Sequence, residues 1–101
     1  MGQSRLDFQR ELRNHAPAAH YMRPAGNKMV YPCFVYKSIA PKQVRADNRN
    51  YLTVPGYEVL YISETENEGI MEEMTAAFPF CKAGATYIAD DLFHYPFTIY
   101  Y

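Results

Sequence analysis

The C-terminal nine residues constrain this chain most. Phe93, Tyr95, Phe97, Ile99 and Tyr101 alternate with His94, Pro96, Thr98 and Tyr100. A period of two puts the first set on one face of a β-strand and the second on the other. The first set is apolar or aromatic and faces a core; the second is half polar. Just upstream, Ala85–Ala89 reads as a short strand, and Asp90-Asp91 supplies turn chemistry between the two. The turn is short, so strands 85–89 and 93–101 are expected to form an antiparallel hairpin.

The rest of the chain is read around this hairpin. Ser4 and Asp7 form a weak capping pair, and Phe8 and Leu12 are i,i+4 neighbours, so residues 5–15 are expected to be a helix ended by Ala16-Pro17. Residues 20–27, with Pro24 and Gly26, read as a connector. Residues 29–36 follow as a strand apolar on both faces. Tyr31, Cys33 and Val35 lie on one side and Pro32, Phe34 and Tyr36 on the other. Pro32 has no N–H and must sit near the strand start or with its missing donor facing no neighbour. Residues 37–50 are expected to be a long polar connection. Tyr51–Val54 is a possible extended piece, Pro55-Gly56 a kink or bulge, and 57–63 a second strand. Thr65-x-x-Glu68 reads as a capping box for a helix over 66–77. Its stripe of Ile70, Met71, Met74, Ala77 and Phe78 has the spacing of a core-facing surface. The expected fold is therefore a single α+β domain in the order α-β-β-α-β-β. It has one four-stranded, mainly antiparallel sheet with two helices on one face.

Composition excludes several classes of function. The chain has 101 residues and a net charge of -1, too little positive charge for a dedicated nucleic-acid binder. Seven of the ten basic residues precede Gln43 and eight of the eleven acids follow Tyr57. This asymmetry fits either an oligomer with one positive and one negative face or an ordinary scatter of solvated charge. No apolar run is long enough to span a membrane, and residues 1–12 do not resemble a secretion signal. The expected compartment is cytosolic, with Cys33 and Cys81 as small reduced apolar residues.

No motif for chemistry emerges. His15, His20 and His94 fall in different elements with no metal-ligand spacing, and His94 reads as a structural or surface residue. Glu72 and Glu73 point about 100° apart on a helix and cannot form a local catalytic pair. There is no nucleophile elbow and no phosphate-binding glycine loop. No enzymatic activity and no cofactor are expected.

Five strings carry a resemblance. Met29-Val-Tyr-Pro-Cys-Phe-Val-Tyr36, Ala46-Asp47-Asn48, Pro79-Phe80-Cys81, Tyr87-Ile-Ala-Asp90 with Leu92-Phe-His94, and Phe97-Thr-Ile-Tyr-Tyr101 occur in this order. Together they resemble a family of small proteins encoded in tailed-phage morphogenesis modules. In that family the same places commonly read KYPCIVY, ADN, LPxC, YTADNLNH and FTLYY. The resemblance covers residues 20–101. Asp91 stands where members have Asn, and Ser63–Asn67 replaces their Asp-x-Asn-Pro stretch.

The resemblance implies a virion component at the head–tail junction, assembled in the host cytoplasm. Tail terminators of this kind are small α/β proteins that cap the tail tube as a hexameric ring. Stoppers tend toward small β-barrels and adaptors are largely helical, so the element order favours a terminator. Implied partners are further copies of itself, the major tail tube protein and the head–tail connector or stopper, with double-stranded DNA passing through the lumen. A stopper gating DNA exit, and a small cytosolic ligand-binding α+β domain, are the alternative readings. Candidate contact residues are Lys42, Arg45, Asp47, Arg49, Tyr51, Tyr100 and Tyr101. Arg45, Asp47 and Arg49 are candidates for ion pairs between subunits or for the lumen wall.

Aromatic content gives the interface a second pointer. Ten tyrosines and no tryptophan is unusual for a chain this short, and a tyrosine ring carries a hydroxyl that needs a partner. Tyr31, Tyr57, Tyr61 and Tyr95 are expected in the core. Tyr21, Tyr36, Tyr51, Tyr100 and Tyr101 are expected at connectors, strand ends or the opposite face.

Overall fold

A computed structural model describes residues 5–22, 31–46 and 50–101, with 44–46 and 50–52 described as backbone. The element order is α1 (Arg5–Leu12), β1 (Ala18–Tyr21), β2 (Cys33–Ala46), β3 (Asn50–Ser63), α2 (Gly69–Ala77), β4 (Phe80–Ala83), β5 (Tyr87–Ala89) and β6 (Leu92–Tyr100). The class is α+β, as expected, but the described sheet has six strands and is mixed. Its order is β1-β2-β3-β6-β4, with β5 also on β6. β1 runs parallel to β2; every other pairing is antiparallel.

The two added strands have distinct causes. Residues 18–21 fall at the edge of the expected connector. Too short to show a period of their own, they are recruited by the edge of β2, pairing Ala19 with Phe34 and His20 with Val35. Residues 80–83 lie directly after the Phe78-Pro79 helix stop and pair with 97–100 of β6. Between β4 and β5 three residues, 84–86, face two, 95–96, on β6. Gly84 N–H donates to the Pro96 carbonyl at 2.8 Å. In an antiparallel strand N–H and C=O of one residue point the same way, so the side of β6 facing this edge lacks a donor at Pro96. The ladder breaks there and the edge strand divides into β4 and β5.

The larger correction concerns residues 37–50. Of the expected polar connection, 37–46 and 50 are β-structure and 47–49 lie outside the described residues: β2 and β3 are each 14 residues long and pair from Cys33↔Ile62 to Ala46↔Asn50. Ala40 and Pro41 face Pro55 alone, a bulge where neither proline owes a hydrogen bond to its neighbour. Past it, Lys42–Ala46 and Asn50–Val54 continue as a two-stranded ribbon. Fourteen residues at roughly 3.4 Å each span about 48 Å, which matches the 49 Å long axis of the molecule. The radius of gyration, 14.3 Å, exceeds the about 13 Å of a compact domain this size.

One face of the sheet carries both helices. Phe34, Tyr36, Tyr57, Val59, Tyr61, Tyr95, Phe97 and Ile99 point to it and bury against Phe8 and Leu12 of α1 and Ile70, Met74 and Phe78 around α2. The alternation read in the last strand is thus borne out, as is its hairpin with β5. Ala89 pairs with Leu92 across the two-residue turn Asp90-Asp91, and both aspartates have positive φ, 53° and 62°. Pro32 lies just before β2, where its missing N–H costs no ladder bond. In the α2 stripe Ile70, Met74 and Phe78 are buried and Met71 half-buried, while Ala77 is exposed.

Tyrosine hydroxyls reshape the start of α2. The expected capping box does not form: α2 begins at Gly69, and Glu68 at its N-cap makes no side-chain cap. Asn67 N–H instead donates to the Tyr95 hydroxyl at 2.7 Å, and Asn67 Nδ2 to the Tyr61 hydroxyl at 3.2 Å. These bonds hold residues 66–67 out of the helix. α1 also stops early, at Leu12, with 13–15 as a turn. His15 Nδ1 and Glu73 Oε2 pair across the gap between the two helices.

Tyr36 was expected away from the core and is instead 1% exposed. Its hydroxyl donates to Gln9 Oε1 at 2.6 Å and accepts from Arg5 at 3.3 Å. The partners that bury it come from α1, 27 and 31 positions away, so no local pattern announces them.

Burial raises the pKa of Tyr36, with the Arg5 hydrogen bond opposing, and also raises Tyr57 and Tyr101. Burial pushes the Cys81 thiol up to about 11. These groups are neutral in both folded and unfolded chains below their ordinary values of 9.0 for the thiol and 10.0 for the phenols. Above those values the unfolded chain releases protons that the folded chain still holds, so stability is lost as pH rises through the folded-state values. The urea midpoint followed by far-UV circular dichroism is therefore expected to fall from pH 8.5 to pH 11. A midpoint that rises over that range would contradict this burial.

Candidate functional site

The expected contact residues divide between the ribbon and the end of β6. Lys42 begins the ribbon and is exposed; Arg45 pairs with Tyr51 in register, one pair before the hairpin end. Asp47 and Arg49 lie outside the described residues. Tyr100 closes β6 at the foot of the ribbon, opposite Gly56. Lys42 Nζ stands 5.6 Å from the centre of the Tyr100 ring, a cation–π contact that joins ribbon and sheet on the helix-free face.

Tyr101 behaves differently. Its N–H donates to the Pro55 carbonyl at 3.0 Å, and its ring turns toward the helices, 5.3 Å from Phe8 and 5.7 Å from Phe78. Period two sends consecutive rings to opposite faces, so Tyr100 is available for contact while Tyr101 completes the core.

Two surface features were not singled out from the sequence. On the helix-free face Met22, Val35, Leu60, Tyr87 and Pro96 line an apolar groove of about 390 Å³. The charged side chains on its rim, Lys37 and Glu58, pair with each other at 3.7 Å. On the other face, beside the start of α2, Glu66, Glu68 and Glu72 stand around Met71, Thr86 and Tyr95 in a groove of about 410 Å³. None of these three carboxylates has an ion-pair partner among the described residues. The acids were legible as a run: residues 64–81 contain five glutamates and no base. That they gather at one end of the sheet was not.

Among the described residues no cluster of His, Cys, Asp or Glu could hold a metal ion. His94 is buried with Nδ1 against the Leu92 carbonyl at 3.0 Å and its ring stacked on Tyr87 at 4.8 Å, a structural placement. No described helix is long and apolar enough to cross a membrane. No protein-family model, curated protein or solved structure matches the chain. Its functional reading therefore rests on its own residues and on the five strings.

Proposed function

We propose that this chain is a tail terminator of a tailed phage, which caps the tail tube as a ring of identical copies and joins it to the head connector. The observation that carries the reading is the ribbon. A chain of 101 residues extends two strands well past the sheet that stabilises them. Beyond the bulge, the described side chains Lys42, Gln43, Thr53 and Val54 line neither groove. Such an arm is useful only if something outside the domain receives it.

The resemblance supplies the class of receiver, and the open sheet favours a terminator over a stopper. A stopper of the small-barrel type closes its edges. Here β1 and β4 end the sheet without meeting.

Particles assembled without the protein test the reading. In negative-stain images they are expected to carry overlong or unjoined tails, restored by adding the purified chain. Joined tails on leaking, empty heads would point to a stopper instead. A chain that stays monomeric at micromolar concentration and does not bind isolated tail tubes would overturn the terminator reading.

A further inference from the structure

We propose that the ribbon docks head-to-tail on a second copy of this chain, its basic residues meeting the carboxylates of Glu66, Glu68 and Glu72 beside the start of α2. This rests on the ring reading above and names the surfaces that close the ring.

The outer edges of the ribbon are open. β1 covers the outer edge of β2 only at Cys33–Tyr36, and β6 covers the outer edge of β3 only at Gly56–Ser63. From Lys42 to Ala46 and from Asn50 to Val54 each strand pairs only with the other among the described residues. Two-stranded ribbons are marginal in water, and each open edge offers a row of donors and acceptors.

Charge identifies the partner. The described ribbon residues, 42–46 and 50–54, carry Lys42 and Arg45 and no acid. At the other end of the molecule Glu66, Glu68 and Glu72 have no described counter-ion and stand over the apolar floor of Met71 and the ring of Tyr95.

The two surfaces cannot meet within one copy. The acidic groove is tied to Tyr95, opposite Tyr61 near the Ser63 end of β3. The ribbon leaves at Gly56, five residues before Tyr61, roughly 17 Å away at strand rise. Complementary surfaces at opposite ends of one subunit make a heterologous contact, which closes into a ring when the rotation allows.

The full chain, its ribbon reversal (Lys42→Glu with Arg45→Glu) and its groove reversal (Glu66→Lys, Glu68→Lys, Glu72→Lys) are compared by sedimentation velocity in 50 mM and 500 mM NaCl. Circular dichroism confirms that each is folded. The wild-type chain is expected to associate at low salt and at least tenfold less tightly at high salt, because the contact is between exposed charges. Each reversal alone is expected to weaken association at least tenfold, and mixing the two to restore it.

Reversals that associate as the wild type does would overturn the docking. If they also still cap isolated tail tubes, the terminator reading would stand without it. Charge-dependent association rescued by mixing, in a chain that never binds tubes, would support the docking and sink the terminator reading. A ribbon reversal that keeps self-association but loses retention on double-stranded DNA would assign the ribbon to nucleic acid and overturn the proposal.

Discussion

Replacing Phe8 with alanine is expected to cost about 3–5 kcal/mol and to release α1 from the sheet. Phe8 is fully buried although it sits on a helix of only eight residues. Its ring stacks on Tyr57 at 4.2 Å and 9°, and meets Tyr36 and Phe78 edge-on at 5.5 and 5.6 Å. Tyr101 closes the cluster. The truncation would leave four rings' worth of contacts facing a void that the rigid sheet cannot collapse to fill. A helix this short has no stability of its own and persists only through the apolar face it buries.

At about 4–8 °C per kcal/mol for a domain of this size, the melting temperature should fall by roughly 12–40 °C. Hydrogen exchange of residues 8–12 should accelerate before that of β3. Leu6→Ala is the control. Leu6 is on the same helix, is 62% exposed, and its loss should fall within about 0.5 kcal/mol. Equal shifts for the two variants would show that α1 is not held through Phe8.

Gly56→Ala is expected to destabilise by about 1–3 kcal/mol, a large effect for one methyl group. A Cβ at this position would lie 2.8 Å from Tyr100 Cε1, 2.9 Å from Ile39 Cγ1 and 3.0 Å from the Ala40 carbonyl oxygen. The first two are side chains that can shift. The third is backbone of the bulge, and it cannot shift without disturbing the pairing at the root of the ribbon. The strain would therefore be felt where the ribbon leaves the sheet, and Lys42 would lose its seat on the Tyr100 ring.

A double-mutant cycle with Tyr100→Ala separates the contributions by thermal melts of the four chains. Removing the Tyr100 ring relieves the closest clash, so the glycine substitution should cost less in that background, with coupling on the order of 0.5–3 kcal/mol. Strict additivity would show that Tyr100 does not crowd Gly56. In the assembly experiment Gly56→Ala should also weaken association, because it loosens the arm that docks.

Strong local patterns were legible wherever they coincide with burial. The alternation from Phe93 to Tyr101 and the aspartate turn define the β5–β6 hairpin. The spacing of Ile70, Met74 and Phe78 defines the inward face of α2, and the aromatic run through Phe34 defines a central strand. Of the candidate contact residues, Lys42 and Tyr100 do meet, although nothing in their separation along the chain relates them. Tyr101 illustrates the opposite outcome: its position at the end of a strand marks it as available, yet its neighbours across the core claim it.

What the sequence by itself determined about this protein is its class and its sidedness: α+β, with apolar residues at periods that commit one face of the sheet and one stripe of α2 to a common core. Tertiary structure alone decided the rest. β1 exists because β2 offers it an edge, not through any propensity in Ala18–Tyr21. The stretch from Lys42 to Ala46 is largely polar, follows Pro41, and reads as part of a loop. It is a β-ribbon because β3 lies alongside in register, and backbone pairing needs no particular side chain. Thr65 and Glu68 had the spacing of a capping box, but the hydroxyls of Tyr61 and Tyr95 reached Asn67 first. In each case a partner distant along the chain supplied hydrogen bonds that local pattern cannot encode, because backbone donors and acceptors are alike at every residue and only the fold brings them within reach.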